Sequence, residues 1–154
     1  NVGLAIARNH MRASYAGYTL TTKLVDGRFP DYEKVIPRVS TNLVTTDREA
    51  LRQAFIRASI LSNEKYRGIR MILEPDQITI RANNPEQEEA EEVVSVEYSG
   101  NRLEIGFNVS YLQDVLGVLS TERIRLSVSD ANSSALIEGE GAADSVYVVM
   151  PMRL

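Results

Sequence analysis

Thr46-Asp47-Arg48-Glu49-Ala50-Leu51-Arg52-Gln53-Ala54-Phe55-Ile56-Arg57-Ala58-Ser59-Ile60-Leu61 carries the periodicity that decides the fold. At about 100° per residue, Leu51, Ala54, Phe55, Ala58 and Leu61 gather on one side of a helix, and Arg48, Glu49, Arg52, Gln53 and Arg57 on the other. Thr46 to Glu49 reads as a capping box: the Thr hydroxyl accepts from the Glu49 amide, and the Glu carboxylate reaches back to the Thr amide. A helix is predicted from there to about Leu61. Ile56 and Ile60 fall on its polar side, and two exposed Ile on one face suggest a protein contact.

Outward from this helix the period changes to two. On the C-terminal side Gln77 to Ala82, Val93 to Tyr98 and Leu103 to Phe107 alternate as strands, with Asn83-Asn84-Pro85 and Ser99-Gly100-Asn101 as turns. A second helix is predicted after Asn108, a good N-cap residue, burying Val109, Leu112, Val115, Leu116 and Leu119. Strands follow at Arg123 to Ser129, Ala135 to Glu138 and Val146 to Met150. On the N-terminal side Tyr18 to Leu24 is rich in β-formers. Val25 to Tyr32, with its Asp-Gly and Phe-Pro steps, breaks that pattern, and Pro37 closes the irregular stretch. A linker or domain edge is placed near residues 38 to 42. Strand, helix, several antiparallel strands, helix and several strands make an α+β layer with helices on one face of a sheet.

Composition narrows the function classes. The chain has 154 residues, 44% of them hydrophobic and 25% charged, which argues for a folded domain rather than a disordered segment. No stretch approaches the roughly 20 apolar residues of a spanning helix. The absence of Cys excludes thiolate catalysis, thiolate metal sites and disulfides, and a single His, His10, leaves little for a relay. Residues 1 to 40 carry +3 and residues 41 to 154 carry −7, giving the net −4. Overall composition therefore argues against a nucleic-acid binder, and any role around DNA must rest on local charge. The cytoplasm is the expected compartment, and the start at Asn1 suggests a piece of a longer protein.

No catalytic constellation assembles from these residues. His10, Asp114 and the Ser residues form no triad or acid pair at a recognisable spacing. Gly139-Glu140-Gly141-Ala142-Ala143 leads into acidic and strand-forming residues rather than a Lys-bearing helix, so it reads as a hairpin loop and not a phosphate loop. Glu86-Gln87-Glu88-Glu89-Ala90-Glu91-Glu92 puts five Glu in seven residues, a solvated loop or a partner contact, and lacks the spacing of a calcium loop. Arg48, Arg52 and Arg57 form a solvated face or one that meets phosphates. The tail, Val148-Val149-Met150-Pro151-Met152-Arg153-Leu154, is apolar almost throughout, whereas chain ends are usually polar. Pro151 lacks an amide donor and ends any ladder there, which places Met152 and Leu154 beyond the sheet as candidates for a binding surface.

Five blocks, in order, resemble one family: Leu24-Val25-Asp26-Gly27-Arg28-Phe29-Pro30-Asp31-Tyr32; Leu61-Ser62-Asn63-Glu64-Lys65; Asn83-Asn84-Pro85 with the Glu run that follows; Gly106-Phe107-Asn108-Val109-Ser110-Tyr111; and Met150-Pro151-Met152-Arg153-Leu154. They resemble the bacterial β sliding clamp, the processivity subunit of DNA polymerase III. The resemblance implies a non-catalytic protein without cofactor or metal, whose subunits have three similar domains and close head to tail as a two-subunit ring around duplex DNA. It implies a clamp domain at residues 41–154, with antiparallel sheets outside and two helices on the inner face. Residues 1–40 would be a remnant of the middle domain.

By the same resemblance, clamp-binding peptides of DNA polymerases, the clamp loader and repair proteins insert a Gln- and Leu-containing segment into a groove. The matching positions are Pro30, Lys34, Val35, Tyr66, Asn108, Tyr111, Asn132, Ser134, Val148, Val149, Met150, Pro151 and Met152. Asn132 stands where some members have Val, which makes that edge more polar. The groove residues from earlier in the middle domain are not in this sequence, so weakened peptide binding is expected. Ile60, Leu61, Glu88, Glu89, Glu91 and Glu92 match the ring interface, and Arg48, Arg52 and Arg57 match the DNA-facing surface, where phosphate contacts without base readout permit sliding. The rival readings are a non-clamp β-rich scaffold and a carboxylate-based hydrolase.

Overall fold

A computed structural model describes residues 1–29, 31–37, 42–142 and 145–153. Most of the expected linker, at 38–41, and two expected binding positions, Pro30 and Leu154, lie outside them. The chain divides into two compact units, Asn1–Asp31 and Tyr32–Leu154.

The first unit is one antiparallel sheet, sheet A, of β1 (Gly3–Ile6), β2 (His10–Tyr15) and β3 (Tyr18–Lys23) in that order. Register puts Leu4 opposite Ala13, Ile6 opposite Met11, Ala13 opposite Leu20 and Tyr15 opposite Tyr18. One face is therefore apolar, and the other carries Arg12, Thr19, Thr21 and Lys23. The β2–β3 turn is tight enough to hold Ala16 at φ +46 and Gly17 at φ +81.

The second unit opens with a short 3₁₀ turn, Tyr32–Lys34. It then builds two four-stranded antiparallel sheets and two helices. Sheet B has the order β11 (Val146–Val149), β10 (Ala135–Gly139), β9 (Arg123–Val128), β4 (Asn42–Asp47). Sheet C has the order β7 (Glu89–Ser95), β6 (Gln77–Asn83), β5 (Gly68–Glu74), β8 (Leu103–Asn108). Backbone bonds exchanged between Thr45 and Glu97 stitch β4 to the segment after β7. Helices α1 (Arg48–Ser59) and α2 (Val109–Val118) pack on each other and on the sheets. Leu51 and Phe55 of α1, Leu112 and Leu116 of α2, Met71 of sheet C and Ile124, Leu126 and Ile137 of sheet B surround a void of only about 10 Å³. One continuous core thus joins both helices to both sheets, the α+β arrangement predicted from the alternation of periods.

Two local expectations are corrected. Thr46 does not cap α1. It sits in β4 opposite Ile124, its hydroxyl donates to the Ser95 carbonyl, and Asp47 is the cap, accepting from the Ala50 amide at 2.7 Å. The strand runs one residue further than the capping box allows, because pairing with β9 continues to Asp47 opposite Arg123. Nor are Glu89 to Glu92 a loop: they form the start of β7, where Glu91 opposes Arg81 and Glu92 opposes Ile80. Helix α1 ends at Ser59, two residues before Leu61, while Asn108 caps α2 as predicted, accepting from the Ser110 amide at 2.9 Å.

Candidate functional site

Four segments converge where β8 runs into α2. The loop 63–67 is fastened to α2 by two bonds: Asn108 Nδ2 donates to the Tyr66 carbonyl at 3.3 Å, and the Val109 amide, first of the helix, donates to the Arg67 carbonyl at 2.8 Å. The first turn of α2 presents Tyr111. The tail leaves sheet B after Val149, passes Pro151, and returns to β8, where the Met152 amide donates to the Gly106 carbonyl at 2.9 Å. The loop 130–133 folds around Asp130. One carboxylate oxygen accepts from the amides of Asn132 (2.7 Å) and Ser133 (2.9 Å), and the other from the Ser133 hydroxyl (2.8 Å). The Asn132 amide bond, followed by the Ser133 bonds, holds the Asp130 carboxyl below the ordinary range.

Large side chains stand exposed around this junction: Tyr66 at 56%, Tyr111 at 58% and Met150 at 72%. An apolar group of this kind beside polar fixers is how peptide grooves are made. Between the tail and the 130–133 loop lies a cleft of about 370 Å³ lined by Arg70, Glu104, Gly106, Asn132, Met152 and Arg153, among others. Arg70, Glu104 and Gly106 were not predicted; they sit on strands β5 and β8, whose shared face is visible only once the register is known. Val149 is 4% exposed and paired with Ala135, so its side chain belongs to the core. Val148 pairs with Leu136 in the same ladder, and Ser134 directly precedes β10. Lys34 and Val35 lie at the 3₁₀ turn, where the Tyr32 carbonyl accepts the Val35 amide at 3.0 Å.

The arginines of α1 are all engaged within the unit. Arg48 donates from Nη1 to the Leu116 carbonyl (2.9 Å) and from Nε to the Thr121 carbonyl (3.0 Å), which ties down the C-terminal end of α2. Arg52 pairs with Glu49 at 3.1 Å. Arg57 forms a two-pronged pair with Glu92, both bonds 2.8 Å. Those bonds hold the Glu92 carboxyl below its ordinary range. Arg81 and Glu91 pair at 2.6 Å. Ile60, at the C-terminal end of α1, is 75% exposed, whereas Leu61 is half-buried. Among the described residues no cluster of three or more His, Asp or Glu is placed to hold a metal ion, and no helix is long and apolar enough to cross a membrane.

Residues 33–153 match the family model of the DNA polymerase III beta subunit, C-terminal domain, which begins one residue into the second unit. The chain belongs to the DNA polymerase III beta subunit family. The beta sliding clamp of Pseudomonas putida is 61% identical to this chain over 153 residues, covering 99% of the chain and 42% of that relative. The Escherichia coli beta sliding clamp is 51% identical over 149 residues, 97% of the chain and 41% of the relative. The chain thus spans about two fifths of the length of the relatives it matches. Among solved structures, the DNA polymerase III beta subunit of Pseudomonas aeruginosa superposes with a TM-score of 0.89 at 61% identity, over 99% of this chain and 42% of that one. The sliding clamp of Bartonella birtlesii bound to griselimycin superposes with a TM-score of 0.88 at 36% identity, over 99% and 41%. A Pseudomonas aeruginosa sliding clamp is likewise solved bound to griselimycin. The fold of two antiparallel sheets and two helices is that of the clamp domain.

Proposed function

We propose that this chain acts, within a sliding clamp, as a non-catalytic docking platform that holds replication and repair proteins at DNA through the groove beside α2. The observation that carries it is the convergence of Tyr66, Tyr111, Met150 and Met152 on the β8–α2 junction, three of them well exposed, in a family whose members are named sliding clamps. In this reading residues 41–154 are the third clamp domain and residues 1–40 the end of the middle one. The partners are Gln- and Leu-containing peptides of polymerases, the clamp loader and repair proteins. Duplex DNA and a second clamp subunit are further partners, and the compartment is the cytoplasm. Ile60, Leu61, Glu88, Glu89, Glu91 and Glu92 form the ring interface.

For DNA, the paired state of the α1 arginines argues for a weak, screened field rather than tight phosphate clamps. Arg52 and Arg57 reach phosphates only while sharing their charge with Glu49 and Glu92, and Arg48 contributes from its anchored position. Weak contacts of this kind suit a ring that must move along its track. The test is a titration of the chain with a Gln- and Leu-containing peptide, and separately with griselimycin, followed by NMR. Shifts clustered at Tyr66, Tyr111, Met150 and Met152 are expected. Saturable binding that leaves Tyr111 and Met150 unperturbed would overturn the assignment.

A further inference from the structure

We propose that Asn63 is a positioning residue of the groove: its side-chain oxygen fixes the loop that presents Tyr66 beside Tyr111, without itself touching the bound peptide. This inference rests on the docking reading above. Asn63 serves its loop three times over. Its Oδ1 accepts the amides of Lys65 (3.0 Å) and Tyr66 (3.1 Å), and its backbone carbonyl accepts the Arg67 amide at 2.7 Å. The loop closes so tightly that Arg67 takes φ +50, a left-handed conformation that a side chain such as Arg adopts only when its surroundings enforce it. Gly68 follows as the first residue of β5, so the turn feeds straight into the sheet.

The far side of the loop is locked to the helix that carries Tyr111. Asn108 does two jobs: its Nδ2 donates to the Tyr66 carbonyl, while its Oδ1 caps α2 through the Ser110 amide. The Arg67 carbonyl takes the next amide, that of Val109. A continuous path of hydrogen bonds therefore runs from Asn63 through the Tyr66 and Arg67 backbone to the turn bearing Tyr111. Tyr66 itself is more than half exposed, with the Lys65 ammonium 5.2 Å from its ring centre, so packing alone does little to hold it. Without Asn63 Oδ1, two amides lose their acceptor, and Tyr66 explores positions that do not meet a ligand. A ligand must then select the competent loop, which lowers its apparent affinity in proportion to that loop's population.

The experiment measures the affinity of a Gln- and Leu-containing peptide for the chain and for Asn63→Ala, Asn63→Ser, Asn63→Asp, Tyr66→Ala, Tyr111→Ala and the double variant Asn63→Ala with Tyr66→Ala. Two lost bonds correspond to a weakening of about 5- to 20-fold for Asn63→Ala. Asn63→Asp keeps the acceptor and is expected to return affinity to within about threefold of the parent, with Asn63→Ser between. In the Tyr66→Ala background the Asn63→Ala change is expected to add almost nothing, because the ring it positions is gone. A general loss of folding would instead add its full cost there, and that result overturns the proposal. If Tyr111→Ala weakens binding while Asn63→Ala does not, the positioning role fails and the groove stands. If Tyr111→Ala has no effect, the docking reading itself fails. Should Asn63→Ala not fold, the ordering of Asn63→Ser and Asn63→Asp decides, and equal weakening by both overturns the role.

Discussion

Replacing Arg48 by Ala separates two roles for the basic face of α1. Arg48 is part-buried, and its guanidinium closes the end of α2 by donating to the Leu116 and Thr121 carbonyls. Two charge-assisted bonds at about 1 to 1.5 kcal/mol each, net of side-chain ordering, give ~2 to 3 kcal/mol. A cation at a helix C-terminus adds about 0.5 kcal/mol. Arg48→Ala should therefore destabilise the second unit by about 3 kcal/mol, a drop of roughly 12 °C in thermal midpoint for a domain of this size. Arg48→Lys should recover about half, since one ammonium cannot span both carbonyls as the planar fork does. Urea denaturation followed by circular dichroism at 222 nm reads this directly, because both helices lie in that unit. Arg52→Ala, which removes only a surface pair with Glu49, should leave the midpoint unchanged and serves as the control. A loss below about 0.5 kcal/mol for Arg48→Ala, the range of neutral surface changes, would refute the anchoring argument and return Arg48 to a purely phosphate-facing role.

Three further outcomes follow from the same contacts. Folding lowers the Asp130 pKa, so the turn that seats Asn132 is complete above the ordinary carboxyl range, roughly pH 4, and is lost as pH falls beneath it. NMR titration of that carboxyl should show it, and a midpoint at or above the ordinary value counts against the turn. Arg57→Gln should let Glu92 rise toward the ordinary Glu range, read by the same method; an unchanged Glu92 means the Arg57 bonds are not what lowers it. Gly100→Ala would drive a Cβ into the Tyr98 hydroxyl, which lies 2.8 Å from Asn42 Oδ1 and 2.6 Å from the Asn101 carbonyl. A cost of about 1 to 3 kcal/mol is expected by chemical denaturation, and parent-like stability would show that the ring can move aside.

What the sequence made legible was what short-range periodicity encodes. The apolar stripe of α1, the Asn108 cap and the alternating β6, β8 and β9 all came through, because each depends on neighbours within one or two turns. The cap of α1 was misplaced by one residue, since Thr46 and Asp47 are both able caps and the choice is made by β9, far along the chain. The Glu run hid the first half of β7 for a similar reason: the strand expected at Val93 to Tyr98 begins at Glu89 and ends at Ser95. Its alternation is of charge against charge, and the partners that make it a strand, Arg81 and Arg57, come from other elements. Strand β5 was missed because Met71-Ile72-Leu73 is apolar without alternation. The anchoring of Arg48 was invisible, its two acceptors being 68 and 73 residues away. In the site, Tyr66, Asn108, Tyr111 and the Met-Pro-Met tail were marked by resemblance. Asn63 and Asp130, which hold that surface in place, show their value only through hydrogen bonds within their own loops.

The outer edge of β7 has a consequence for symmetry. Among the described residues no strand pairs with it along Glu89 to Val94. An unpaired edge invites another strand, and in a concentrated solution of one protein that strand comes from a second copy. Two such edges brought together would set the Glu89 carboxylates of both copies on one ladder, Glu91 and Glu92 being already held by Arg81 and Arg57, and like charges across a ladder repel. Self-pairing about a two-fold axis is thus disfavoured, and a strand bearing basic residues is welcomed instead. A heterologous contact at this edge, one surface meeting a different one, would keep every added subunit in the same sense of direction. A closed body built that way has two inequivalent faces, front and back, with every copy of the α2 groove opening toward the same side.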